Sequence, residues 1–280
     1  MTCYRIAGQK FSFPGLMIPE LSLFRIKNPD QAALVPDPGS LALSCQTVGW
    51  VGEAEREVEV WAARNGTLLK VRGGSDFFIS TDGSCISKAG PQELTGLDRD
   101  ILLGPALVLA LALRGIWCLH ASAVICKNSL IVFLGESGQG KSTLAANLSS
   151  VDGSLVADDI LPITLGPRGI QVWPHFPQLK LSIHVQPAEK LPEQLPLDRI
   201  CVLARADVDE PPELQLLPAG QAVQSLLRHT AGTRLFNPAL LSDHLSFCAN
   251  IGRQILFNQL AYPHRKDTLP LVKELLEDIC

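Results

Sequence analysis

Eight consecutive residues, Gly135-Glu136-Ser137-Gly138-Gln139-Gly140-Lys141-Ser142, have the types and spacing to hold a chain of phosphates. Glycines let a backbone approach a ligand closely, and successive N–H groups can then point into one concavity. A lysine followed by a hydroxyl adds a cation and a Mg²⁺ ligand. In such a loop Lys141 reaches the β- and γ-phosphates of a nucleotide, Ser142 holds Mg²⁺, and Thr143 closes the segment. The alternative, an ordinary glycine-rich turn, lacks the required context. Here Ser129-Leu130-Ile131-Val132-Phe133-Leu134 reads as the strand before the loop, and Thr143-Leu144-Ala145-Ala146-Asn147-Leu148 as the helix after it.

Other polar groups must be brought to that loop by neighbouring elements. Ser154-Leu155-Val156-Ala157 reads as a strand ending in Asp158-Asp159, and carboxylates at the edge of a phosphate loop are a usual way to hold Mg²⁺. Asp158 follows Ser142 by only 16 residues; a surface turn before Pro162 is the alternative. Upstream, 117–125 is strand-like, and Lys127-Asn128 makes a tight turn into the strand that feeds the loop. That hairpin brings His120 toward the phosphates, unless it is a structural histidine at a core strand's end.

The chain of 280 residues is 46% apolar, enough for one large domain or two modest ones. A net charge of −4 provides neither a basic stripe for nucleic acid nor a polybasic membrane patch, so no partner of either kind is expected. The longest apolar run, 101–113, is too short to span a bilayer and reads as a buried helix. The start, Met1-Thr2-Cys3-Tyr4-Arg5, has no secretory pattern, and the eight cysteines lack any CxxC pair. Free thiols in a cytoplasmic protein are expected.

A composition shift between 88 and 100 separates a β-rich unit, 1–98, from the remainder, 99–280. The first part shows short strands near 4–7, 21–26 and 58–61, with hairpin turns at Asn65-Gly66 and Asp82-Gly83. It serves either as a scaffold or as a substrate-docking surface. In the second part a hairpin over 160–173 turns at 166–169, and an extended loop covers 174–182. Strands follow at 200–204 and 214–217, joined by an acidic loop. Helices are expected over about 219–230, 239–261 and 268–279, the last with Thr268 as cap and Pro270 in its first turn.

Leu119-His120-Ala121-Ser122-Ala123, the segment 135–143 and Val156-Ala157-Asp158-Asp159, in that order, resemble the HPr kinase/phosphorylase superfamily. The likeness is greatest to its shorter HPr-kinase-related proteins, including those encoded beside ribosomal peptides such as lasso peptides. The motifs are also similar to those of ATP-dependent phosphoenolpyruvate carboxykinases. The resemblance covers about 117–182, and more weakly 260–270. It implies an α+β or α/β fold: a P-loop nucleotide core with a mixed sheet, plus a small antiparallel β-rich unit.

It further implies an ATP- and Mg²⁺-dependent kinase that moves the γ-phosphoryl to a Ser/Thr hydroxyl of a small protein or peptide, such as a lasso precursor. In that resemblance Asp158 is the general base, Asp159 the metal-side carboxylate, and His120 stands near the transferred phosphate. Lys180 matches a basic position near the phosphates. A homo-oligomer is compatible with it. Two departures separate the chain from enzymes acting on HPr: no glycine- and arginine-containing signature follows Asp159, and Thr143 stands where those enzymes carry an acid. A kinase of small-molecule hydroxyls and a non-catalytic ATP sensor are the alternative functions.

Overall fold

The computed structural model describes residues 2–26, 41–149, 154–177 and 191–279. Its contacts group into two units, Met1–Cys118 with Gly232–Asp243, and Leu119–Ala231 with His244–Cys280.

In the first unit β1 (Thr2–Ile6) and β2 (Gln9–Phe13) form a hairpin. The strand expected over 21–26 is instead a 3₁₀ turn, Pro19–Phe24, and only Arg25–Ile26 (β3) pairs with β1. The reason lies in Pro19, whose fixed φ suits a first helical turn, and in Leu21 and Phe24, which are both buried and lie three residues apart rather than two. A five-stranded antiparallel sheet follows: β4 (Ala42–Val51), β5 (Ala54–Ala63), β6 (Gly66–Val71), β7 (Phe77–Ser80) and β8 (Ile86–Lys88), in that order.

Both expected hairpins are present. In the first, Ala63 pairs with Gly66, so the turn is Arg64-Asn65 and the glycine opens the next strand. Gly66 is there for close approach: a Cβ would overlap the Ile79 carbonyl oxygen of β7. In the second, the Asp82 carboxylate accepts from the Ser80 hydroxyl at 2.6 Å and from Ser84, contacts that hold it below the usual carboxylate range.

The buried helix begins earlier than expected. Thr95 and Asp98 form a capping box at the start of α1 (Gly96–Ile101), and the chain passes through a π-type turn, Leu102–Ala106, into α2 (Leu107–Ala112). Pro105, lacking an N–H, accounts for the irregular turn. Residue 98 lies in α1, inside the first unit.

The sheet of the second unit is built from β9 (Trp117–Cys126), β10 (Ser129–Leu134), β11 (Ser154–Gly166), β12 (Gly169–Val172), β13 (Leu195–Pro196), β14 (Arg199–Arg205), β15 (Glu213–Leu216) and β16 (Leu256–Tyr262). Its order is β13-β12-β11-β9-β10-β14-β16-β15. The sheet is mixed, because β10 pairs antiparallel with β9 and parallel with β14. The α-helices described after these are α3 (Lys141–Ser149), α4 (Ala219–His229), α5 (Pro238–Gln254) and α6 (Leu269–Glu277). Leu144, Ala145 and Leu148 of α3 and Val272 and Leu276 of α6 share one core with Ile131, Phe133, Leu203 and Leu260 from the sheet. The architecture is a mixed α+β one, and none of its described helices is long and apolar enough to cross a membrane.

Three expectations are corrected here. The helix expected to run from 239 to 261 ends at Gln254, and 256–262 is an inner strand, parallel to β14 and antiparallel to β15. Leu260 and Tyr262, two apart, both enter the core, which is strand spacing. Asp158 and Asp159 do not end a strand; β11 runs through them to Gly166. Thr268 makes no side-chain cap, its hydroxyl donating instead to the carbonyls of Pro263 and Arg265. Pro270 does fall in the first turn of α6. The expected loop over 174–182 lies beyond the described residues from 178 onward, and Lys180 with it.

Candidate functional site

The β9–β10 hairpin turns at Lys127-Asn128, with Lys127 at φ 53, and its pairing ends at Ala121 opposite Leu134. Leu134 is the last residue before the glycine loop. The register therefore leaves His120, one residue beyond that pair, level with the loop's start. On the other side of β9 lies β11, carrying Asp158 and Asp159. The Ser122 hydroxyl donates to Asp158 Oδ1 at 2.7 Å, and His120 Nε2 is 3.6 Å from Asp159 Oδ1.

The loop 135–140 joins β10 to α3, and Leu144 N–H donates to the Gly140 carbonyl at 2.9 Å as the helix begins. Gly138 and Gly140 have φ of 83° and 82°, a region that favours glycine. The Glu136 N–H donates to Gln139 Oε1 at 2.6 Å. Lys141 is buried at 7% exposure, and its ammonium donates to the Gly135 carbonyl at 2.7 Å and the Glu136 carbonyl at 3.1 Å. The cation of the loop is thus folded back onto the loop's own backbone.

These elements enclose a concavity of about 210 Å³. His120, Ser122, Asp158 and Asp159 line it from the two strands, while Ser137, Gly138, Gly140, Lys141, Ser142 and Thr143 line it from the loop and helix. Gly135, Glu136 and Gln139 belong to the loop but not to this lining. Cationic and anionic groups face one another across a small space, the kind of arrangement that can bind a polyanion and handle a hydroxyl proton. No cluster of three or more His, Cys, Asp or Glu able to cage a metal occurs among the described residues. Mg²⁺ needs no such cage, since it takes one or two protein oxygens together with water and phosphate oxygens. The Ser142 hydroxyl and the Asp159 carboxylate, on one concavity, have that donor chemistry.

Three neighbours had not been singled out in the sequence. Ser122 lies two residues from His120 on one strand, hence on the same face, and that spacing is a signal for it. Arg228 and His229 had no such signal. An isolated antiparallel bridge, Leu119↔Thr230, lays the end of α4 beside β9, and Arg228 Nε meets Glu136 Oε1 at 2.6 Å. Burial first, together with the charges of Lys141, Arg228 and His120, holds His229 below the usual imidazole range, against the opposing pull of Glu136.

No family model matches this chain, and no curated protein matches it. Among solved structures the chain is similar to the Hpr(Ser) kinase/phosphatase from Coxiella burnetii, at 15% identity and a TM-score of 0.36 over 58% of this chain and 89% of that one. With the TM-score below one half, the functional reading rests on the chain's own geometry.

Proposed function

We propose that the chain is an ATP-dependent phosphotransferase whose acceptor is a serine or threonine hydroxyl of a peptide or small protein. The observation that carries this reading is convergence: His120, Lys141, Ser142, Asp158 and Asp159, from three separate stretches of sequence, face one concavity behind a strand–loop–helix. Phosphoryl transfer asks mainly for positioning and charge stabilisation, and these groups supply both.

Backbone N–H groups of 136–141 hold the β-phosphate. Lys141 exchanges its two loop carbonyls for phosphate oxygens and neutralises the γ-phosphoryl. Asp158, oriented by the Ser122 hydroxyl, aligns the acceptor and takes its proton while the acceptor oxygen bonds to phosphorus and the β–γ bridge breaks. His120 stabilises charge beside the transferred group. Ser142 and Asp159 would hold Mg²⁺, which neutralises charge across the phosphates when bound.

The test is intact mass spectrometry of candidate acceptors, first a precursor peptide encoded beside the gene, after incubation with the protein, ATP and Mg²⁺. The expected result is a gain of one phosphate that disappears with Asp158→Asn while ATP still binds. Transfer at the wild-type rate by that variant refutes the role of Asp158. ATP bound without any peptide product moves the reading to a metabolite hydroxyl if ATP is consumed with one, and to a nucleotide sensor if it is not.

A further inference from the structure

The glycine loop carries an acid, Glu136, outside the lining of the concavity, and that acid is already engaged. Its carboxylate pairs with Arg228 at 2.6 Å, its N–H with Gln139, and its carbonyl with Lys141. The Glu136 N–H and the Lys141 ammonium therefore both have partners within the loop. Both charged side chains are largely exposed, 51% for Glu136 and 68% for Arg228, so the pair opens at small cost. Arg228 itself is well located. It occupies the last turn of α4, where the helix dipole favours a cation, and the Leu119↔Thr230 bridge anchors the following residues to β9. Its neighbour His229 is only half-buried, yet that burial lowers its pKa, so it does not match Arg228 as a fixed positive charge.

Resting on the phosphate-loop reading above, we propose that Glu136 and Arg228 form a latch that sets nucleotide affinity and triphosphate preference. The Glu136 carboxylate is an internal competitor: it pairs with the guanidinium and yields it to a bound polyphosphate. The exchange favours the ligand with more negative charge, so ATP gains from Arg228 more than ADP does.

The test is calorimetric titration of the full chain with Mg·ATP and Mg·ADP, using Glu136→Gln, Arg228→Ala and the double variant. Glu136→Gln frees the guanidinium and tightens ATP by about threefold. Arg228→Ala weakens ATP by about tenfold and ADP by less. The decisive comparison is between backgrounds: a latch makes Arg228→Ala more costly when Glu136 is already Gln, because the arginine no longer has to leave a partner. If Arg228 merely screens Glu136, its loss costs less in that background, and that result overturns the latch. Equal effects on ATP and ADP overturn the triphosphate preference. Failure of the wild-type chain to bind either nucleotide overturns the phosphate-loop reading and the latch with it, whereas normal wild-type binding with unchanged variants overturns the latch alone. Both side chains are exposed, so unaltered thermal unfolding is expected in all variants.

Discussion

Replacing Gly140 with alanine tests the site through its backbone. Two separable penalties follow from the geometry. At φ 82° an L side chain meets its own carbonyl, at a cost of about 1–2 kcal/mol. The new Cβ would also lie 2.8 Å from the Tyr262 hydroxyl, closer than carbon and oxygen tolerate. Tyr262 is 3% exposed and packed in the core beneath the loop, so its ring cannot swing aside, and overpacking of this kind costs about 1–3 kcal/mol. Urea unfolding should therefore show a loss of about 2–5 kcal/mol for Gly140→Ala, a large part of a typical domain's stability. Tyr262→Phe removes the colliding oxygen. In that background the loss should shrink to the φ component alone, about 1–2 kcal/mol. Nucleotide affinity should fall in both backgrounds, because the strained turn misdirects the loop's N–H groups. A single-variant loss below about 0.5 kcal/mol, or a loss unchanged by Tyr262→Phe, refutes the reasoning.

Lys141→Ala removes the cation that the loop folds onto its own carbonyls, and calorimetry should show ATP affinity reduced by about tenfold to a hundredfold. Unchanged affinity sinks the phosphate-loop assignment. His244 is 1% exposed, beside Thr230 at 2.9 Å and Cys248 at 3.2 Å, and burial pushes its pKa down from 6.5 to about 4. The unfolded chain then binds a proton in a range where the folded chain does not. Its contribution is intact above about pH 6.5 and is lost as pH falls toward 4, by at most about 3 kcal/mol. Unfolding free energies measured across that range should slope upward with pH, and His244→Gln should flatten the slope. Gly66→Ala, whose Cβ meets the Ile79 carbonyl in the five-stranded sheet, should lower stability by about 1–3 kcal/mol in thermal unfolding; an unchanged Tm contradicts the close strand approach.

What the chain discloses about itself follows the range of each interaction. The strand–loop–helix around Lys141, the hairpin turning at Lys127-Asn128 and the hairpin turning between Gly166 and Gly169 were all legible, because each is written in neighbouring residues. His120, Asp158 and Asp159 were legible as types, and the short spacing of their strands let them be assigned to one site. The loss of pattern began where partners are distant. Residues 256–262 carry apolar groups that suit a helix or a buried strand equally. Only the room between β14 and β15, with Asn258 accepting from Arg199 at 2.7 Å, makes them a strand. Pro19–Phe24 turned helical because Leu21 and Phe24 had one core to enter.

Arg228 shows the limit most plainly. In the sequence it is a basic residue at a helix end, 92 positions after Glu136. Its meeting with that acid depends on the path of α4 and on one bridge to β9. The sequence by itself determined the local chemistry, the loop, the turns and the kinds of side chain, because backbone preferences and short-range hydrogen bonds act within a few residues. The tertiary structure decided which of those side chains face one another, because sheet order and helix placement arise from burying apolar surface across the whole chain.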